Sequence, residues 1–209
     1  MNKMVKKLDM IKTHICSLQI PLSNADSGPV YYLKDLKTYK DKKMKNYLIL
    51  AASSGKNLEL ANKIKEHATN DKTSFEVVDL EGLALPLYSP NAEKSGIPEN
   101  ASELATKLIK ASGLIFLSPE YNGSTAPLFN NTIAWISRTG DDWREAFNDK
   151  VTVVGTHSGG GGHQVLSHMQ DQLSYVGCNV IGRKILTSYA KELNLESLDD
   201  VLNRLYKLS

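Results

Sequence analysis

The 209 residues are 41% hydrophobic and carry a formal net charge of +2. That is enough apolar content for one sizeable domain core, and too little net charge for the whole molecule to read as a nucleic-acid binder. No run of about 18 apolar residues occurs, which excludes a membrane-spanning helix, and two cysteines, Cys16 and Cys178, without a CxxC or metal-ligand neighbour fit a reducing cytoplasm better than a disulfide or zinc framework.

The charge is uneven. Residues 1–43 hold nine Lys or Arg against four Asp or Glu, and the remainder is net negative. This stretch reads as a basic N-terminal extension, mobile or partly helical, ahead of a domain spanning 44–209. An upstream segment before a start at Met44 and a basic arm for an anionic partner are the other readings. Ile15–Leu22 is too short and too mixed for the core of a signal peptide.

From Met44 the pattern becomes regular. Tyr47–Ala52 is apolar throughout and predicts a strand buried on both faces. A small polar loop, Ser53-Ser54-Gly55-Lys56-Asn57, leads into a helix over Leu58–His67. Phe75–Leu80 alternates more and predicts an edge strand. Residues 81–98 form a long connection with Pro86, Pro90 and Gly96, and connections of that length in compact domains are often functional. Pro98 opens a helix with Ala101, Leu104, Ala105 and Leu108 on one stripe. Leu114–Leu117 predicts a third strand, broken at Pro119. Pro127 opens the next helix, with Thr125 or Ala126 as cap and Leu128, Ile133 and Ile136 inward. Val151–Val154 predicts a fourth strand, and a glycine-rich loop over 155–162 follows it. Val165–Val176 predicts a helix stopped by Gly177. A weaker fifth strand over Val180–Leu186 is interrupted at Gly182, Arg183 and Lys184. Ser197-x-x-Asp200 reads as the capping box of a last helix.

Strands alternating with helix-length crossovers predict an α/β three-layer sandwich with a parallel sheet and helices on both faces. The first, third and fourth strands are the most apolar, which places them centrally in the order 2-1-3-4-5. Ligands of such sheets bind beyond the carboxyl ends of the strands.

Three loops lie there. The first offers Ser53, Ser54, Lys56 and Asn57 at a helix N-terminus, which suits phosphate or simple helix capping. It is neither a Walker loop nor a GxGxxG dinucleotide fingerprint. The second, Pro119-Glu120-Tyr121-Asn122-Gly123, suits the edge of a planar heterocycle or an ordinary turn. Glu120 there is a general acid or base, or a residue that orders the loop. The third, Ser158-Gly159-Gly160-Gly161-Gly162 between His157 and His163, has more glycine than a strand-to-helix turn needs. Close approach of a flat ligand to bare backbone, or a flexible lid, accounts for it. Together the loops describe a site for a phosphorylated aromatic mononucleotide, for which flavin mononucleotide (FMN) is the natural occupant in this sheet order.

The block Ser118-Pro119-Glu120-Tyr121-Asn122-Gly123-Ser124-x-x-Pro127-Leu128-x-x-Asn131-x-Ile133-x-Trp135 resembles the signature of the NADPH-dependent FMN reductases, a flavodoxin-like family. The glycine run resembles that family's second hallmark, and the likeness covers about residues 44–185. It implies noncovalent FMN, with Ser53, Ser54, Lys56 and Asn57 on the phosphate, Pro119, Glu120, Tyr121, Asn122 and Gly123 along the ring and ribityl chain, and Ser158, Gly159, Gly160, Gly161 and Gly162 on the far side. It implies NAD(P)H as co-substrate, a small-molecule electron acceptor such as a flavin or quinone, and a homodimer or homotetramer with the helix after Pro127 near the partner. No catalytic side chain and no metal ligand is implied. The alternatives are a flavodoxin-type electron carrier without nicotinamide oxidation, and a flavin-free partner module. The first loop departs from the family pattern: it is short and offers a lysine where an arginine is usual, and lysine supplies charge without a bidentate fork.

Overall fold

The computed structural model describes residues 44–209. The expectations for the basic extension therefore lie outside the described residues. Within them the sheet is parallel, in the order β2-β1-β3-β4-β5, with β6 also paired to β4. The strands are β1 (Lys45–Ala51), β2 (Thr73–Asp79), β3 (Gly113–Leu117), β4 (Val151–Ser158), β5 (Asn179–Val180) and β6 (Ile185–Ser188), and the main helices are α1 (Lys56–Ala68), α2 (Glu99–Lys110), α3 (Pro127–Ile136), α4 (His163–Tyr175) and α5 (Leu195–Leu208).

Side-chain alternation along β1 decides which helices cover which face. Leu48 and Leu50 point into one cluster with Leu104 and Leu108 of α2, Phe129 and Ile133 of α3, and Val165 and Met169 of α4. Tyr47, Ile49 and Ala51 point into the other, with Leu60 and Ile64 of α1 and Leu198, Val201 and Leu205 of α5. From Tyr47 to Ala51 the strand is fully buried, as a parallel strand covered on both faces must be. Leu48, Ile49 and Leu50 each contribute roughly 1.5–3 kcal/mol of burial.

Several boundaries differ from the predicted ones for local reasons. On α3, Phe129 rather than Leu128 takes the fully buried position, so the inward stripe runs 129, 133, 136 at helical spacing. Ala126 is its N-cap, without a side-chain cap bond. The cap of the last helix is Asn194, three residues ahead of the predicted Ser197, because its side chain accepts from the Ser197 amide at 2.7 Å. The long connection contains one helical turn, Pro90–Glu93, capped by Ser89.

The fifth strand is split. Thr152 faces Val180 and Gly155 faces Ile185, so the edge advances further than β4 between the two pairings and bulges out at Ile181–Lys184. Gly155, predicted as loop, lies inside β4. A Cβ there would stand 2.7 Å from Leu117 Cδ2 and 2.9 Å from Ile185 Cβ. Its missing side chain is what lets β3 and β6 pack against β4. Gly182, in the bulge, would meet nothing within 4 Å. Gly155→Ala is therefore expected to cost about 1–3 kcal/mol, the range for overpacking, and Gly182→Ala to stay within about 0.5 kcal/mol, both read by urea denaturation of the cofactor-free protein.

Candidate functional site

Parallel pairing brings the carboxyl ends of β1 and β3 level with Gly155, and β4 runs on from there to Ser158. Ala51 faces Leu117, and Leu117 faces Gly155. The three predicted loops leave from that one edge.

The first loop enters α1 without a side-chain cap at Gly55. The amides of Leu58 and Glu59 return to the Gly55 carbonyl at 2.9 and 3.1 Å. Those of Lys56 and Asn57, in the first turn, have no acceptor among the described residues, which is the donor pattern that makes a helix N-terminus attractive to anions. The Lys56 ammonium pairs with Glu59 at 2.9 Å. That hydrogen bond holds the lysine above its ordinary pKa and the carboxylate below its own.

Two of the expected phosphate ligands are engaged elsewhere. The buried Asn57 amide donates to the His157 carbonyl at 3.1 Å and accepts from the His157 amide at 2.8 Å. It works as a side-chain rung between α1 and the end of β4. Ser54 donates its hydroxyl to Asp79 Oδ2 at 2.8 Å and its amide to Glu81 Oε2 at 3.1 Å. Asp79 and Glu81 were not singled out from the sequence. The predicted strand order carried the signal, since β2 neighbours β1 and its exit must run beside Ser53 and Ser54.

In the second loop Asn122 and Gly123 both have positive φ, at 51° and 76°. Tyr121 and Ser124 exchange backbone hydrogen bonds at 2.9 and 3.0 Å across them. This is a type I′ turn, which explains the Asn-Gly pair without a ligand. A Cβ on Gly123 would also sit 2.5 Å from Gln164 Oε1. Pro119, Glu120 and Tyr121 line the cleft described below, and Asn122 and Gly123 are not among its lining residues.

Glu120 ties the second loop to the third. Its Oε2 accepts from Ser158 Oγ at 2.7 Å and from the Gly162 amide at 2.9 Å, while Ser158 Oγ accepts from the Gly160 amide at 2.9 Å. Of the two sequence readings of Glu120, loop ordering is the one this network supports.

The glycines divide by role. Gly162 has φ +71°, and a Cβ there would meet Leu186 Cδ1 at 2.5 Å. A Cβ on Gly160 would approach Glu120 Oε2 at 3.2 Å. Gly159 and Gly161 would meet nothing closer than 3.8 and 3.9 Å, so the protein's own packing does not require glycine at either. Ser158 belongs to β4 and is buried.

The three loops meet at one cleft of about 340 Å³, to which the third contributes His157 and Gly159 and to which Tyr189 is added, while Ser158, Gly160, Gly161 and Gly162 are not among its lining residues. A larger hollow of about 620 Å³ follows the outer flank of α1 and shares Lys56, His157 and Tyr189 with it. The smaller one draws on all three strand ends. His157 stands at the junction. Its Nδ1 lies 3.2 Å from Thr187 Oγ1, which donates in turn to the Thr156 carbonyl. The tautomer that satisfies both carries its proton on Nδ1 and leaves Nε2, which is buried without a partner, as an unused acceptor. Tyr189 meets the same ring edge-on at 5.2 Å. Nothing in its sequence neighbourhood marked Tyr189.

A doubly covered parallel sheet in this order, with a cleft at the strand ends, is a flavodoxin-like fold. The NAD(P)H:acceptor oxidoreductase FerB of Paracoccus denitrificans shares it, with a TM-score of 0.65 at 17% identity over 78% of this chain and 96% of its own. The chain belongs to the NADPH-dependent FMN reductase family, which matches residues 45–192. An uncharacterised protein of Mycoplasma pneumoniae is 28% identical over 68% of this chain and 87% of its own length. A 2-hydroxy-1,4-benzoquinone reductase of a Burkholderia species is 32% identical over 57% of this chain, and the match spans 63% of that enzyme.

Asn57→Ala removes both bonds to the His157 backbone from a buried position. It is expected to destabilise the protein by about 1–3 kcal/mol, measured by urea unfolding in the absence of ligand.

Proposed function

We propose that this protein is an NAD(P)H-dependent, FMN-containing oxidoreductase acting on a small-molecule acceptor, with a flavin or quinone as the acceptor class. The observation that carries the reading is the convergence of the three strand-end loops on one cleft, with bare backbone at Gly159 where packing leaves room for a side chain. The volume of about 340 Å³ falls in the range of roughly 300–1,000 Å³ usual for small-molecule sites. Bound FMN supplies the two-electron chemistry between NAD(P)H and the acceptor.

In this reading the open amides of Lys56 and Asn57, with the Ser53 hydroxyl, receive the phosphate. Pro119 and Tyr121 line one side of the ring slot and the Gly159 backbone the other. Glu120 keeps the slot at fixed width by holding Ser158 and Gly162. No proton-transferring side chain is assigned, because hydride transfer needs position and field rather than a protein acid.

The finer context follows the family. A homodimer or homotetramer is supported by Leu87, which is 80% exposed between Pro86 and Tyr88, both bonded to α3 through Asn131. No helix of the described residues is long and apolar enough to cross a membrane. A cytoplasmic location follows the sequence reading, in which neither cysteine has a CxxC or metal-ligand neighbour.

Two experiments test the reading. Protein reconstituted with FMN and mixed with NADPH under argon is expected to bleach within seconds; an unchanged spectrum would favour the electron-carrier alternative. Gly159→Val is expected to keep the wild-type melting temperature without flavin and to lose at least about tenfold in FMN affinity, about 1.4 kcal/mol. Unchanged affinity would remove the ring from this slot.

A further inference from the structure

The phosphate end of the cleft already holds an anion of the protein's own. Leu80 donates to the Ala51 carbonyl at 3.0 Å, and Ala51 faces Asp79 in the ladder. Residues 52–54 and 80–82 therefore leave the sheet side by side. Asp79 Oδ1 accepts from the Glu81 amide at 3.1 Å, which makes a tight turn at the strand exit. Glu81 Oε2 receives the Ser54 amide at 3.1 Å, and Asp79 Oδ2 the Ser54 hydroxyl at 2.8 Å. Both donors of a residue at the family's phosphate position thus point at carboxylates.

The local charge does not offset them. Lys56 is the cation of this loop, and it is paired with Glu59 at 2.9 Å. Glu81 lines the cleft together with Ser53, Ser54 and Lys56. A phosphate, with a charge of about −1.5 to −2 at neutral pH, entering beside them has to displace Glu81 from the Ser54 amide or do without that donor. An uncharged ribityl alcohol meets no such opposition.

Resting on the flavin reading above, we propose that Glu81 is the specificity-determining residue at the phosphate end. Its carboxylate occupies a donor that the flavin phosphate would use, and so narrows the preference for FMN over riboflavin. Asp79 has a different part: by holding the Ser54 hydroxyl and the Glu81 amide it fixes the turn that presents Glu81. The consequence for the enzyme is a phosphate seat weaker than its free helix amides alone would provide, and a flavin exchanged more readily than the ring slot alone would allow.

The test is a pair of titrations, FMN and riboflavin, followed by quenching of flavin fluorescence on the full chain. Wild type is compared with Glu81→Gln, which keeps shape and removes charge, with Glu81→Ala, which removes the acceptor as well, and with Glu103→Gln on exposed α2 as a control for net charge. Both Glu81 variants are expected to bind FMN about tenfold more tightly, the size of one charge-assisted hydrogen bond, with riboflavin affinity within about twofold of wild type and the Glu103 variant unchanged. Inorganic phosphate is expected to compete with FMN at lower concentration in the Glu81 variants. An unchanged or reduced FMN-to-riboflavin ratio with correctly folded variants would overturn the inference and make Glu81 a support of the loop. If wild type and variants bind neither flavin, the flavin reading fails and this inference falls with it.

Discussion

Ala51, Leu117 and Gly155 stand side by side in the sheet, and the cleft depends on that alignment. Parallel pairing leaves strand register to the packing on both faces, since no hairpin turn sets it. A one-residue slip of β1 would move Leu48 and Leu50 into the α1–α5 layer and Ile49 into the other. It would also draw the first loop out of reach of β4. The buried Asn57 amide records the same requirement locally, because it can bond both backbone groups of His157 only when α1 starts at the level where β4 ends. Core packing and site geometry are thus one constraint.

The fold was legible because its signals are short-range. Apolar runs marked β1, β3 and β4, helical stripes marked α2 and α4, and the ranking of strands by hydrophobicity placed β2 and the fifth strand at the edges. What failed to show were polar residues buried by hydrogen bonds rather than by apolar neighbours. β4 runs four residues past its predicted end, through Gly155-Thr156-His157-Ser158, a composition that reads as loop. Thr156 is accommodated because its hydroxyl donates to the Ser118 carbonyl at 2.7 Å, and His157 because Asn57 serves its backbone. Those partners lie tens of residues away, and no local pattern announces them.

The site was legible at the level of loops and less so at the level of atoms. The loops named from the sequence do meet. Within them, several residue types that suggest ligand contact are engaged by the scaffold itself. Asn122 and Gly123 are accounted for by the turn, Asn57 by the rung to β4, and Gly162 by its positive φ and the pressure of Leu186. A Cβ on Gly159 or Gly161 would make only ordinary contacts, at 3.8 and 3.9 Å. A glycine that the chain's own packing demands is accounted for without a ligand, and which glycines those are depends on neighbours distant in sequence.

Family resemblance describes the first loop least well, and the physics there is a contest between two ways of satisfying the same donors. Helix-start amides and a serine hydroxyl need acceptors. An arginine in such a loop would supply bidentate charge for an incoming phosphate, which lysine cannot match, least of all when its ammonium is shared with Glu59 at the next turn. This loop instead recruits acceptors from the neighbouring strand, and Asp79 and Glu81 take both donors of Ser54. The arrangement stabilises the loop in the absence of ligand. Any anion must then be stronger than the carboxylate it replaces, because only the difference between the two sets of hydrogen bonds reaches the binding free energy. On the proposed flavin reading, binding would lean on the ring slot more than on the phosphate end.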